Sequence, residues 1–497
     1  MIPRLIFGSI LLCALFFLQC TGGEVDDASS DEAQADTGDD DSDGQLNASD
    51  NCPRTKNADQ MDADESGVGD ACEPVGPFAP MFNITKYEPD NSVGGVTVLA
   101  VQGGEKTFEN PAWVDFGYLA AVPIAPDDAA GTAVTPLYVY ADKTSGAFSD
   151  VDLLDNGDLQ VIRGDDGGAV LSEIDPRADT STVVYDGVMV NHAAQRLPNG
   201  GTIFIYSYFV EHESYGLDVD NDGVREIRVE AVRVIDDSGA DVWDWDVWER
   251  DGDAVPTTAY VMFTEWWSNC NAVSFLPAED WTPEMPLEGD VYLNCRLLYR
   301  LYKINYPSGD IEWVMGDNGD FGEGMFYHPH DPQISYDLDA DGNRIATRIL
   351  LYDNREAPPL GDVGPCPPDE TCPDDIEPYS RLLEVVVDND LNAKIVWKWP
   401  TPTASNFDDV RFYSPIGGGI SKLENGNILA THATDEGNPF LGETIHGRVV
   451  ELSRDGSLTG AKIVWELTLN QDYGSYKAIR IPSDTLSGWN SHVMLPE

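Results

Sequence analysis

Four tryptophans, Trp243, Trp313, Trp397 and Trp465, end the same kind of unit, and this recurrence constrains the fold more than any other feature. Each unit is an apolar strand, a polar turn and a second strand: VRVIDDSGADVWDW, YKINYPSGDIEWVMG, LEVVVDNDLNAKIVWKW and VVELSRDGSLTGAKIVWEL. A second kind of hairpin, with Asn-Gly or Asp-Gly at its turn, recurs as RLPNGGTIFIYS, DLDADGNRIATRILLYD and KLENGNILATHA. The tryptophans stand 70, 84 and 68 residues apart. Four short antiparallel strands repeated at such a period describe a propeller blade, because each small sheet buries its faces only against its neighbours. The stretch 78–497 holds about six such units, the longer spacing being absorbed by the insertion around Cys366 and Cys372. The expected fold is all-β, a six-bladed β-propeller, with the tryptophans packing blade against blade rather than forming a cofactor site.

The sequence before residue 78 is of a different kind. Residues 1–20, MIPRLIFGSILLCALFFLQC, place one cation before an apolar run that is too short for a membrane span, and so read as a secretion signal. The Cys after that run resembles a bacterial lipoprotein signal, which makes Cys20 the expected lipid anchor. Residues 21–48 are an acidic linker with almost nothing apolar, and no secondary structure is expected there. Export agrees with the cysteines. Six remain after Cys13 and Cys20, and since no zinc-ligand spacing accompanies them they are expected as disulfides, paired by proximity as Cys52/Cys72, Cys270/Cys295 and Cys366/Cys372.

Residues 49–75 contain DNCPRTKNADQMDADESGVGDACE, in which alternating Asp residues around Gly turns supply the oxygens that a hard cation requires. The order of Cys, Asn, Gln, Asp and Gly resembles the thrombospondin type 3 repeat. That resemblance implies calcium ligands at Asp62, Asp64 and Asp70, with Asp39, Asp41 and Asp43 as a preceding half-turn. Two more DxDxDG loops lie deeper, at Asp218, Asp220 and Asp222 and at Asp337, Asp339 and Asp341. Neither has the Glu that closes an EF-hand loop, so they are expected as hairpin tips, either calcium-holding or plain polar turns. Overall, 88 acidic residues against 29 basic ones give a formal charge of −59, which argues against a nucleic-acid partner.

In a propeller the first strand of a blade runs along the central channel and the second returns antiparallel. The start of the first and the end of the second therefore share one face. This places His192, Asn269 and His330 at first-strand starts, and Asn354-Arg355 and His432 at second-strand ends. The aromatics Trp266, Trp267, Phe412 and Tyr413 lie beside them in sequence. One channel mouth thus gathers imidazoles, a guanidinium and aromatic rings.

These segments, with GYLAAVPIAP, EWWSNCNAV, GDIEWVMGDNG, YHPHDPQ, LLYDNR, FYSPI, GRVVEL and YKAIRIP, are similar in order and spacing to the bacterial arylsulfate sulfotransferases, over roughly residues 115–483. The family implies a six-bladed propeller that moves a sulfuryl group from a phenolic sulfate ester to a phenol through a sulfated histidine, without a nucleotide cofactor. The resemblance implies His432 as nucleophile, His330 and Arg355 as stabilisers of the sulfuryl oxygens, and Asn269 where the family has a histidine. His192 is the candidate to replace that imidazole. The other expectation is a calcium-dependent binding propeller that holds a surface glycan or an anionic aromatic ligand at the same mouth. Both expectations place the protein outside the cytoplasm, in the periplasm or on the cell surface, with the membrane as partner through Cys20.

Overall fold

The chain divides into two units, Met1–Phe78 and Ala79–Glu497. The computed structural model describes residues 82–103, 116–126, 132–134, 136–141, 148–165, 168–178, 180–212, 224–252, 266–321, 325–354, 380–400, 412–414, 417–433, 446–471, 473–486, 489 and 493–494. Cys20, Asp39, Asp41, Asp43, Cys52, Asp62, Asp64, Asp70, Cys72, Asp218, Asp220, Asp222, Arg355, Cys366 and Cys372 lie outside the described residues.

The turns fold each repeat into hairpins, and the hairpins into six small antiparallel sheets arranged as a ring, a six-bladed β-propeller. Four blades are continuous in sequence. They are β5 (Phe148–Leu153) to β8 (Thr180–Tyr185), through β6 (Leu159–Asp165) and β7 (Gly168–Asp175); β9 (Met189–Arg196) to β12 (Asp241–Asp246), through β10 (Thr202–Glu211) and β11 (Glu226–Ile235); β13 (Cys270–Pro277) to β16 (Ile311–Gly316), through β14 (Gly289–Cys295) and β15 (Arg300–Tyr306); and β17 (Pro329–Leu338) to β20 (Ala393–Trp399), through β18 (Arg344–Asp353) and β19 (Arg381–Asp388).

The remaining two blades use both ends of the propeller chain. In one, β21 (Gly419–Lys422), β22 (Ile428–His432), β23 (His446–Arg454) and β24 (Ala461–Gln471) are joined by β1 (Phe82–Tyr87) as the outermost strand. In the other, β25 (Tyr473–Ile481) is the innermost strand, followed by β2 (Val96–Gly103), β3 (Phe116–Pro123) and β4 (Tyr138–Ala141), with β26 (Val493–Met494) parallel to β4. The ring is therefore closed twice. One helix of five residues, α1 (Val247–Asp251), follows β12.

The apolar clusters lie between blades. One joins β9–β12 to β13–β16 through Trp245, Trp267, Tyr302 and Phe275, and another joins β17–β20 to β21–β24 through Tyr352, Trp397 and Phe412. Trp243, Trp313, Trp397 and Trp465 all lie on the fourth strand of their blades, as the sequence pattern requires. The indole of Trp465 donates to Ile124 O in the next blade at 2.8 Å, and that of Trp243 to Pro307 O at 3.0 Å. Cys270 and Cys295, register partners on β13 and β14, form the expected disulfide.

The polar turns are held by short side chains that accept the N–H two residues on. Asn156, Asn199, Asp236, Asp339, Asp388, Asn425 and Asp455 all do so, at 2.8–3.1 Å. Asp339 also accepts from the Asn343 N–H, while Asp337 is paired with Arg348 at 2.6 Å. The tip at Asp337, Asp339 and Asp341 is thus the expected hairpin, but its first two carboxylates are taken up by the protein's own donors. Among the described residues no group of three or more His, Cys, Asp or Glu is placed to hold a metal ion.

Candidate functional site at the channel mouth

Five of the six first strands carry a bulge near their start, and the bulges build the site. The extra residues are Ser149 in β5, His192 and Ala193 in β9, Asn271 in β13, Asp331 and Pro332 in β17, and Tyr476 and Lys477 in β25. A bulge breaks the in-and-out alternation and re-aims a side chain. The backbone at and just before these strand starts is unusual as well. His192, Asn269, His328 and Asp331 have φ of 56°, 43°, 52° and 43°, the left-handed region that non-glycine residues rarely occupy.

His330 is held most firmly. Its Nδ1 meets Asn354 Oδ1, while the Asn354 amide donates to Ser414 O and Gly417 O, each at 2.7 Å. Because the amide nitrogen is committed to two carbonyls, Asn354 Oδ1 accepts from His330 Nδ1–H, and Nε2 of a neutral ring carries the lone pair. The segment before it is pinned from the neighbouring blade, where Asn271 and Asn294 both donate to Pro329 O at 3.0 and 2.7 Å. The fully buried Asp353–Arg381 pair, at 2.7 Å, fixes the same segment through Tyr327 N and Met325 O.

His192 stacks on Tyr476, with ring centroids 5.7 Å apart, and its Nδ1 meets the Tyr476 hydroxyl at 3.1 Å. Trp266 lies 6.1 Å from the His192 ring, and the Arg228 guanidinium sits 4.5 Å over the Trp266 face. Asn269 stands beside His192, close enough to favour its protonated form, yet neither His192 Nε2 nor Asn269 Oδ1 has a hydrogen bond of acceptable geometry, although both atoms are buried. The strand start here is tied to the buried Glu230, which receives Ser268 Oγ and Cys270 N.

Arg296, only 2% exposed, is the common cation. Burial and the Arg228 and Arg296 charges push His192 down to about 3. Burial, aided by Arg296, also holds His328 and His330 well below the usual imidazole range. These rings are neutral at physiological pH. Burial raises Glu230 to about 7 and Asp331 to about 6.

Beyond this layer the channel holds a cavity of about 340 Å³ lined from all six first strands. Lys477 reaches Asp150 at 2.7 Å and Asp152 at 3.3 Å there, and Asp331 lies on the same wall.

The structure brings together His192, Asn269, His330 and Trp266 and sets other expected residues apart. His432 does end β22, but it is fully buried, with Nδ1 3.2 Å from the Tyr352 hydroxyl and its ring against Phe412. Burial pushes its pKa down, and its contacts join it to the core between blades rather than to His192, His330 or Arg296. Trp267 and Phe412 are also core residues, Trp267 against Trp248 and Phe412 between Tyr352 and Trp399. Tyr413 is half-buried next to Phe412. Arg296, His328 and Tyr476 were not singled out from sequence. Arg296 follows the end of β14 as Asn354 follows the end of β18, so the same strand-end rule points to it.

The architecture and mouth define a six-bladed β-propeller with neutral imidazoles around a buried guanidinium. No protein-family model and no curated protein matches the chain. Among solved structures it is similar to a Pyrococcus horikoshii acylaminoacyl peptidase (10% identity, 76% of this chain and 46% of that one, TM-score 0.30). It is also similar to a Synechocystis apocarotenoid oxygenase mutant (8%, 81% and 96%, 0.32) and to an endo-1,4-beta-xylanase from Bacteroides thetaiotaomicron (8%, 77% and 99%, 0.27). The chain spans less than half the length of the peptidase. At these scores the likenesses carry no argument about its chemistry.

Proposed function

We propose that the protein is an exported arylsulfate sulfotransferase-like enzyme, moving a sulfuryl group from a phenolic sulfate ester to a phenol through a sulfated histidine. The observation that supports this most is the pairing of a neutral, oriented imidazole, His330, with the buried Arg296 charge. A neutral imidazole is a nucleophile, and fixed donors stabilise charge that develops on the sulfuryl oxygens. His330 takes the nucleophile's place in this reading because its Nδ1–H is fixed, its Nε2 carries the lone pair and it faces the Arg296 charge, whereas His432 contacts Tyr352 and Phe412. Arg296 holds the sulfuryl oxygens, with Arg355 added by the family resemblance. The phenolate leaves without a nucleotide donor. The reading includes a lipid anchor at Cys20 and structural calcium at Asp62, Asp64 and Asp70.

Incubating the full chain with 4-nitrophenyl sulfate and a phenol is expected to release 4-nitrophenolate with ping-pong kinetics. His330→Asn is expected to abolish release, and Arg296→Gln to slow it about 100- to 1000-fold, the usual effect of removing one oxyanion donor. Absence of release with several donors and acceptors would refute the reading. Asn269 favours the second reading, a binding propeller for a glycan or an anionic aromatic ligand, because an amide cannot transfer a proton. Ligand binding without any 4-nitrophenolate release would select it.

A further inference from the structure

We propose that the channel cavity beyond the imidazole layer binds a small primary ammonium ion, held by the Asp152 carboxylate with Gln160 Oε1 as its second acceptor. This site is independent of the sulfuryl-transfer reading and belongs to the other end of the channel. The cavity, about 340 Å³, shares Leu153, Gln195, Arg196 and Phe275 with a cleft of about 870 Å³. That cleft runs on to Asn156 in the β5–β6 turn, Pro198 in the β9–β10 turn and Pro277 at the end of β13. A ligand therefore reaches the cavity from the face opposite the mouth.

Charge selects a cation. The groups that face Asp152 are Asp150 on its own strand, Lys477 on β25, Asp331 on β17 and Arg196 on β9, and Arg196 is paired with Glu173 on β7. Lys477 thus stands alone against three carboxylates. Two of these are already engaged: Asp150 accepts from Val151 N, Ala194 N and Lys477 Nζ, and Asp331 from Ile420 N at 2.8 Å and Gln333 Nε2 at 2.9 Å. Asp152 is not. Lys477 stays 3.3 Å from it against 2.7 Å from Asp150, and 37% of its side chain is exposed although protein surrounds it, so the cavity is what it faces. Gln160 is the register partner of Asp152 on one side and of Glu173 on the other, which puts all three side chains on one face of the blade. It is 2% exposed and neither of its amide atoms has a hydrogen bond, a costly state for a buried group. An ammonium group has three donors. One meets Asp152, one meets Gln160 Oε1 and the third is left to water in the cavity. Asp152, with about four lone-pair sites, serves Lys477, the ligand and the Gln160 NH2 group together. A metal ion is matched less well, since among the described residues no three His, Cys, Asp or Glu are placed to hold one. Burial lifts Asp152 to about 7 against the pull of Lys477, with Asp150 and Asp331 adding to the rise. The ligand needs the ionised form and so binds more tightly as pH rises through 7.

Calorimetry of the full chain with butylammonium chloride tests the site, at about pH 8.5 and about 150 mM salt so that general attraction of cations to the acidic surface is screened. One ion is expected to bind per chain. Asp152→Asn, which keeps the shape and removes the charge, is expected to abolish binding, and Gln160→Leu to weaken it about 10-fold, the loss of roughly one hydrogen bond. Tetramethylammonium has the same charge and no N–H, and is expected not to bind. Lowering the pH to about 5.5 is expected to weaken butylammonium binding at least 10-fold, as Asp152 takes up its proton. No binding to the wild type, equal binding of tetramethylammonium, a flat pH profile, or binding that Asp152→Asn leaves unchanged would each overturn the site. Circular dichroism checks folding. If Asp152→Asn does not fold, thermal unfolding of the wild type decides: a rise in Tm with butylammonium and none with tetramethylammonium supports the site, and equal effects or none overturn it.

Discussion

Glu230 shows how a single buried group behind the site ties stability to pH. The carboxyl is fully buried and burial raises it to about 7, against an ordinary value near 4.5. Between those values the folded protein keeps a proton that the unfolded chain has shed. The folded state binds more protons there, so the Glu230 contribution to stability falls as pH rises from 4.5 to about 7 and is constant above. Glu230→Gln removes that slope. Urea midpoints of the two proteins are expected to show the wild type losing roughly 3 kcal/mol relative to the variant across this window, and parallel midpoints would refute it. His192, Asn269 and His330 were legible in the sequence because they begin first strands, a position that the repeat marks. Tyr476 was not, since ring closure brings it to His192 across 284 residues and nothing local announces that contact. His432 and Trp267 lie in the core between blades, which their positions in the sequence did not announce. Neighbouring residues on extended backbone face opposite ways, so locating a strand end does not decide which face a side chain takes.

At the scale of the element, the blades were readable because their fourth strands repeat a tryptophan, and the repeat has a physical cause. Each blade buries its faces only against its neighbours, so a large side chain at a fixed register position is needed in every period. Burial nevertheless differs around the ring. Trp465 is fully buried, donates to Ile124 O and lies under the Arg480 guanidinium at 4.7 Å, whereas Trp243 is half-exposed. Trp465→Ala is therefore expected to cost about 3–5 kcal/mol in denaturant unfolding, and Trp243→Ala less than about half of that. Equal losses would mean that the four positions are energetically interchangeable. The first-strand bulges left no comparable trace, because they occur in differing sequences: Ser149 in β5, His192-Ala193 in β9 and Tyr476-Lys477 in β25.

Across the whole molecule the acidity and the proposed substrate oppose each other. Part of the surplus has a structural use, since Asp236, Asp339, Asp388 and Asp455 cap exposed turns and are held below the usual carboxylate range, Asp236 and Asp455 chiefly by the Ser238 and Ser457 hydroxyls and Asp339 and Asp388 chiefly by the Asn343 and Asn392 N–H groups. The formal charge of −59 nonetheless repels an anionic sulfate ester at long range, while Arg296 and Arg228 act at close quarters at the mouth. Salt screens these two effects unequally. The surface field weakens as the Debye length shrinks from about 30 Å at about 10 mM salt to about 8 Å at about 150 mM, whereas buried charges are screened far less. The expected result is the reverse of ordinary electrostatic steering, with kcat/KM for 4-nitrophenyl sulfate rising several-fold over that range. KM for an uncharged phenol, measured in the same series, should stay constant. A fall in kcat/KM with salt would mean that the mouth's cations outweigh the surface field even at long range, and the acidic surface would then be no barrier to the ester.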